Sequence, residues 1–249
     1  MYPFLIPQPY RGLLYVLLFS WAMLLVFGFA FGPLNETRTN RIPLPNRMAS
    51  SFILVLCAVI WWRAGAGVRP LAGYTALIVV GMACGFLGDL IMAAEIIPMP
   101  ERVIYGMVAF GLGHIFYIAA YLRLGGALGL TDGRARILSL AALFIVALAT
   151  WWALIRGPQA PAVLNYGSLG YALLLSAMVG LAVALAVQEP RFIPLALGAI
   201  LFLVSDTILG NELFRGNVWT LVGDVVWLTY IAGQALIVFS TASALYVAP

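Results

Sequence analysis

The sequence predicts an all-α fold: a polytopic membrane helix bundle of eight transmembrane helices. Three observations carry this. The 249 residues are 64% hydrophobic and only 9% charged, against roughly a quarter charged in a soluble domain. Apolar runs of about 20 residues, the length that crosses the hydrocarbon core, recur along the whole chain. The gaps between them are short and hold most of the prolines and charges. Twenty-two charges cannot solvate a soluble globule of this length. Disorder, nucleic-acid binding and a secreted disulfide scaffold are excluded on the same grounds. The net charge of +4 rests on Arg alone, with no Lys, and on such a chain reads as anchoring and orientation in the bilayer.

The spans follow in order: Gly12–Phe31, Met48–Trp62, Ala72–Ala93, Val103–Leu122, Ile137–Ile155, Tyr166–Val187, Phe192–Gly210 and Val218–Tyr246. The first is too long for a signal-peptide core and lacks a small-x-small cleavage site, so it is expected to be retained. The second is short and the last long. Gly32-Pro33, Pro43-Leu44-Pro45, Arg69-Pro70, Pro98-Met99-Pro100, Gly157-Pro158 and Glu189-Pro190 punctuate the connections. The whole chain, 1–249, reads as a single integral membrane domain with no soluble part.

Eight spans place both termini on one side. Seven Arg fall on that side (Arg11, Arg63, Arg69, Arg123, Arg134, Arg136, Arg191) and six on the other (Arg38, Arg41, Arg47, Arg102, Arg156, Arg215). This near balance does not orient the chain by the positive-inside rule; the short loops around Arg63/Arg69 and Arg123/Arg134/Arg136 favour cytoplasmic termini. The expected location is a bacterial inner membrane. Gly85-Phe86-Leu87-Gly88-Asp89-Leu90-Ile91 and Phe202-Leu203-Val204-Ser205-Asp206-Thr207-Ile208 form a weak repeat nearly half the chain apart. Either a parallel 4+4 duplication or two unrelated helices with small-residue faces accounts for it.

Two cysteines inside apolar runs, Cys57 and Cys84, read as packed thiols. With one His, His114, a His-rich or Cys-rich zinc site cannot be assembled from this chain. No phosphate loop, nucleophile elbow or metalloprotease helix motif is present. All five Glu fall in loops or at span edges, but Asp89, Asp206 and Asp224 lie inside spans, where ionisable residues cost about 2.5–3.5 kcal/mol and point to function. Asp89 and Asp206 each sit about four residues, roughly 6 Å, from the end of their spans, and Asp224 about six residues into the last. All three fall in the half of the membrane opposite the termini, and His114 near mid-depth. Gly81 and Gly85 precede Asp89 at helical spacing, a face for close helix approach. His114 shares a stripe with Gly106, Phe110, Tyr117 and Tyr121, and Asp224 one with Gly223, Trp227, Tyr230 and Gln234. Paired carboxylates from different helices suit acid/base hydrolysis, one donating a proton while the other activates water. Each Asp bonding only to a neighbouring helix is the structural alternative, and a transporter the functional one.

The run Gly88-Asp89-Leu90-Ile91, then Tyr105-Gly106-Met107-Val108-Ala109-Phe110 and His114-Ile115-Phe116-Tyr117, resembles the YhhN family of multispanning membrane proteins, which includes the lysoplasmalogenases. Tyr171 to Ser176 and Met178, Gly198 to Ser205-Asp206, and Tyr230-Ile231-Ala232-Gly233-Gln234 continue the resemblance from about residue 72 onward. The family usually opens its second helix with Lys-Pro; Arg47-Met48 after Pro43-Leu44-Pro45 is the nearest match here. The resemblance implies hydrolysis of the vinyl ether bond of a lysoplasmalogen, a reaction for which no metal or organic cofactor is expected. A lysophospholipid is then the expected partner beside the bilayer itself, with Asp89 and Asp206 as the catalytic pair. His114, Tyr117, Tyr171, Ser205, Asp224, Tyr230 and Gln234 would support it by orienting water and the glycerol backbone, and Arg47 or Arg102 would meet the headgroup. A lipid-binding member without catalysis is the alternative within the family. An intramembrane aspartyl protease is disfavoured by the spacing of Gly85, Gly88 and Asp89 and by Pro194-Leu195-Ala196-Leu197. Oligomeric state is not legible.

Overall fold

The computed structural model describes residues 10–68, 70–93, 96–157 and 160–248. Arg69 and Pro158 therefore lie outside the described residues. Among the latter are eight helices long and apolar enough to cross a membrane: α1 Tyr10–Phe31, α2 Leu44–Gly65, α3 Ala72–Met92, α4 Arg102–Leu128, α5 Gly133–Thr150, α6 Ala162–Gln188, α7 Ile193–Arg215 and α8 Val222–Val247. The protein is a multi-pass all-α membrane protein.

Local chemistry explains the helix ends. Pro43 and Pro161 stand at the N-caps of α2 and α6, and α2 and α7 carry Pro in their first turn, where the missing N–H costs nothing. Asp132 caps α5 by accepting from the Arg134 amide. Helices α4 and α7 stop at Gly129 and Gly216, whose φ of 72° and 69° lies in the left-handed region that ends helices. Helix α5 closes in a π turn, Trp151–Ile155.

Several boundaries differ from the sequence expectation: α4 runs on to Leu128, α5 and α6 each start four residues early, and three further ends are explained by specific contacts. Helix α2 begins at Leu44 rather than Met48, because Asn46 and Arg47 are helical despite their polarity; Asn46 Nδ2 donates to the Leu24 carbonyl of α1. Helix α7 runs on past Gly210 to Arg215, and Asn211 Nδ2 donates to the Leu154 carbonyl in the π turn. Helix α8 begins at Val222, not Val218. Leu221 takes φ 67° and its amide bonds to the Arg38 carbonyl, so the apolar run 218–221 is a turn.

Neighbours in sequence pack as pairs (α1 with α2, α3 with α4, α5 with α6, α7 with α8), and α8 also packs on α2 and α3. Helices α6 and α8 are the most buried, α1 and α5 the most exposed to the bilayer. Glycine sets the closest approaches. A Cβ at Gly198 would stand 2.7 Å from the Gly233 carbonyl oxygen, and one at Gly233 2.6 Å from that of Gly198, so α7 and α8 cross backbone to backbone. The Gly81–Gly85 face receives the Tyr117 ring from α4 and the Gln234 amide from α8, as the glycine spacing predicts. Gly81→Ala would push a methyl group into that ring. It is expected to lower stability by about 1–3 kcal/mol, the usual cost of overpacking, read as the thermal unfolding midpoint in detergent.

Candidate active site

The last turn of α3 points Asp89 into the bundle, where it is 5% exposed. Its Oδ2 accepts from Ser51 Oγ of α2 at 2.5 Å and from Tyr230 Oη of α8 at 3.0 Å. Behind Tyr230 runs a chain with one direction. Tyr117 Oη donates to Gln234 Oε1 at 2.7 Å, and Gln234 Nε2 donates to Tyr230 Oη at 3.3 Å. The Tyr230 hydroxyl hydrogen is thereby left for Asp89. Gly85 makes room for the chain, since a Cβ there would stand 2.7 Å from Gln234 Nε2 and 3.2 Å from Tyr230 Oη.

Asp206 on α7 has a parallel arrangement. Its Oδ2 accepts from Tyr171 Oη of α6 at 2.5 Å, and Tyr171 Oη lies 3.1 Å from His114 Nε2 of α4. With Tyr171 donating to the carboxylate, His114 is the Nε2–H tautomer, and its Nδ1 is buried without a partner among the described residues. Each carboxylate is thus held by a tyrosine from a different helix, itself set by a deeper polar group.

The two carboxylates line one cavity of about 370 Å³, together with Tyr171, Tyr230, Arg47 and Ser205. Ser205 Oγ donates to the Val226 carbonyl, which ties α7 to α8 at the wall. Edge-on aromatic contacts build the floor: Phe202 meets Phe110, His114 and Tyr230 with ring centroids 6.3, 4.9 and 5.0 Å apart. Toward the helix ends opposite the termini the lining carries charge: Arg47, Arg102 and one acid, Glu212. The Arg47 guanidinium lies 6.0 Å from the Trp227 ring centroid, and Arg102 Nη1 donates to the Met92 carbonyl that ends α3. Two carboxyl groups on one cavity can divide acid and base work, one giving a proton and the other activating water. Among the described residues no three His, Cys, Asp or Glu side chains stand together as metal ligands.

The structure separates the expected site residues into three groups. Asp89, Asp206, Tyr171, Ser205, Tyr230 and Arg47 line the cavity. His114 and Gln234 stand one layer behind it, bonded to Tyr171 and Tyr230, and Tyr117 bonds to Gln234 behind them. Asp224 belongs to neither group. Its Oδ2 and Oδ1 accept from the backbone amides of Arg41 and Ile42 at 2.6 and 3.0 Å, so this carboxylate pins the α1–α2 loop to the first turn of α8. The expectation that it lies six residues deep also fails, because α8 starts four residues later. Nor do the other two Asp sit equally near their helix ends: Asp89 is three residues from Met92, Asp206 nine from Arg215. Ser51 escaped sequence reading; a hydroxyl pair, Ser50-Ser51, near the start of an apolar span was its only signal.

The YhhN family model matches residues 46–241. It covers α2 to α8 and both carboxylates. The chain is a member of the YhhN family. The YhhN family includes lysoplasmalogenases, and in this YhhN member Asp89, Phe110, Tyr171, Ser205, Asp206 and Tyr230, which carry part of the resemblance, line the cavity. No curated protein and no solved structure is significantly similar to it.

Proposed function

We propose that this YhhN-family protein is a membrane-embedded hydrolase of the lysoplasmalogenase type, cleaving the vinyl ether bond of a lysophospholipid. The observation that supports the reading most is that carboxylates from α3 and α7 line one cavity. A neutral carboxyl group protonates the vinyl carbon remote from the ether oxygen. The C=C π bond becomes a C–H bond, and positive charge spreads over the adjacent carbon and oxygen. The second carboxylate stabilises that cation and takes a proton from water as the water oxygen attacks the carbon. The C–O bond of the resulting hemiacetal breaks as the second group returns its proton to the glycerol oxygen and the hemiacetal O–H proton passes to the first. This gives a fatty aldehyde and a glycerophospho-alcohol for one water consumed, with both carboxyl groups restored. Asp89 and Asp206 fill these two roles. Arg47, with its planar fork of donors, suits the lipid phosphate near the membrane surface.

The test is direct. The purified protein in detergent should release fatty aldehyde from a 1-alkenyl lysophospholipid, followed with a coupled aldehyde dehydrogenase; no release above a protein-free control removes the reading. Gln234 reaches the site only through Tyr230. Gln234→Leu is therefore expected to lower kcat about 5–10-fold, the equivalent of one hydrogen bond of about 1 kcal/mol or slightly more, with KM within about twofold. A change confined to KM would show that Gln234 contacts the lipid instead.

A further inference from the structure

A second concavity, of about 410 Å³, opens on the bilayer-facing surface where the π turn ending α5 meets the start of α6. Its walls are Trp151, Trp152, Arg156, Asn165, Tyr166 and Leu169, and no acidic side chain lines it. The wall is held from behind. Trp151 Nε1 donates to the Asn165 carbonyl and to Ser168 Oγ at 3.2 and 3.1 Å. The Asn165 side chain accepts from the Gly157 amide and donates to the Gly157 and Ala160 carbonyls. Arg215 at the end of α7 donates to the Trp152 and Arg156 carbonyls, adding a second cation at this corner.

On this hydrogen-bonded frame two large rings are exposed: Trp152 is 64% and Tyr166 71% exposed. The Arg156 guanidinium lies over Trp152, 4.4 Å from its centroid. An Arg stacked on a ring keeps the edge of its donor fork available, and that edge matches two phosphate oxygens. The position is the end of two membrane-crossing helices, the level at which Trp and Tyr meet headgroups. A scattered aromatic belt needs no concavity; here the cation, the rings and the groove coincide.

We propose that this groove is a binding site for a bilayer phospholipid, its phosphate on Arg156 and its first methylenes against Trp152 and Tyr166. The site is distinct from the carboxylate cavity and does not depend on the hydrolase reading. Native mass spectrometry of the full chain, released from detergent after exposure to phosphatidylglycerol, tests it. The wild type and the remote charge control Arg134→Gln should retain one lipid; Arg156→Gln and Trp152→Ala should retain it about tenfold less, the loss of one charge-assisted contact. If Trp152→Ala unfolds, Arg156→Gln decides. Phosphatidylcholine should also bind, because the phosphate is read, whereas diacylglycerol should not. Equal retention by Arg156→Gln, equal binding of diacylglycerol, or displacement of the lipid by millimolar inorganic phosphate would each overturn the proposal.

Discussion

Asp89→Asn and Asp206→Asn are each expected to lower aldehyde release by about 10²–10⁴-fold, the usual contribution of a positioned acid or base. The amide keeps the shape of the carboxylate but can neither give up nor take up a proton at the reacting atoms. It also keeps an acceptor oxygen. At position 89 that oxygen can still receive Ser51 and Tyr230, and at position 206 it can still receive Tyr171. Both variants should therefore unfold at the wild-type temperature and elute as the wild type does, so lost turnover reports chemistry and not folding. Groups that act as a unit are not additive, and the double variant should be little worse than the poorer single one. Initial rates of aldehyde release at saturating lipid measure all three. Wild-type turnover in either single variant would end the assignment of a pair. Rates that multiply would show that the two carboxylates act in separate steps.

Much of this arrangement is legible in the sequence, and the reasons are physical. Scarcity of charge makes the membrane helices visible, and Pro and Gly mark their ends. The same scarcity picks out Asp89 and Asp206, because a carboxylate in an apolar helix has to be justified by a partner or a role. Helical spacing correctly puts Gly81 and Gly85 on the face of α3 where other helices come closest. What periodicity does not show is who the partners are. Ser51 looks like a small residue near a helix start until Asp89, 38 positions away, is found against it. His114, Tyr117 and Gln234 share faces with groups that do line the cavity, yet they are held one layer back by Phe202, Tyr171 and Tyr230. Hydropathy also misplaces ends. Asn211 and Glu212 look like a loop, although helix geometry continues and Asn211 finds a carbonyl in the π turn. The run from Val218 to Leu221 looks like membrane helix, although its last residue is turned by the α1–α2 loop.

Asp224→Ala is expected to produce the opposite phenotype from Asp89→Asn: loss of the fold before loss of chemistry. Asp224 is fully buried in the first turn of α8, where a negative charge also complements the helix dipole. Both of its oxygens are taken by backbone amides, those of Arg41 and Ile42, while the Thr39 carbonyl accepts from the amides of Gly223 and Asp224. Truncation removes the acceptor of both amides and strands that of Ile42, a residue 1% exposed. Hydrogen bonds to a charged group contribute about 1.5–3 kcal/mol each, so the variant should lose about 3–5 kcal/mol. At about 2–4 °C per kcal/mol for a chain of this size, the unfolding midpoint in detergent should fall by roughly 10 °C. Proteolysis should then open the segment between α1 and α2 first. Asp224→Asn keeps one acceptor oxygen and should fall between the two, with wild-type turnover per folded molecule. If Asp224→Asn instead lost turnover at an unchanged unfolding temperature, Asp224 would belong with Asp89 and Asp206 after all, and the cavity would hold three working carboxylates.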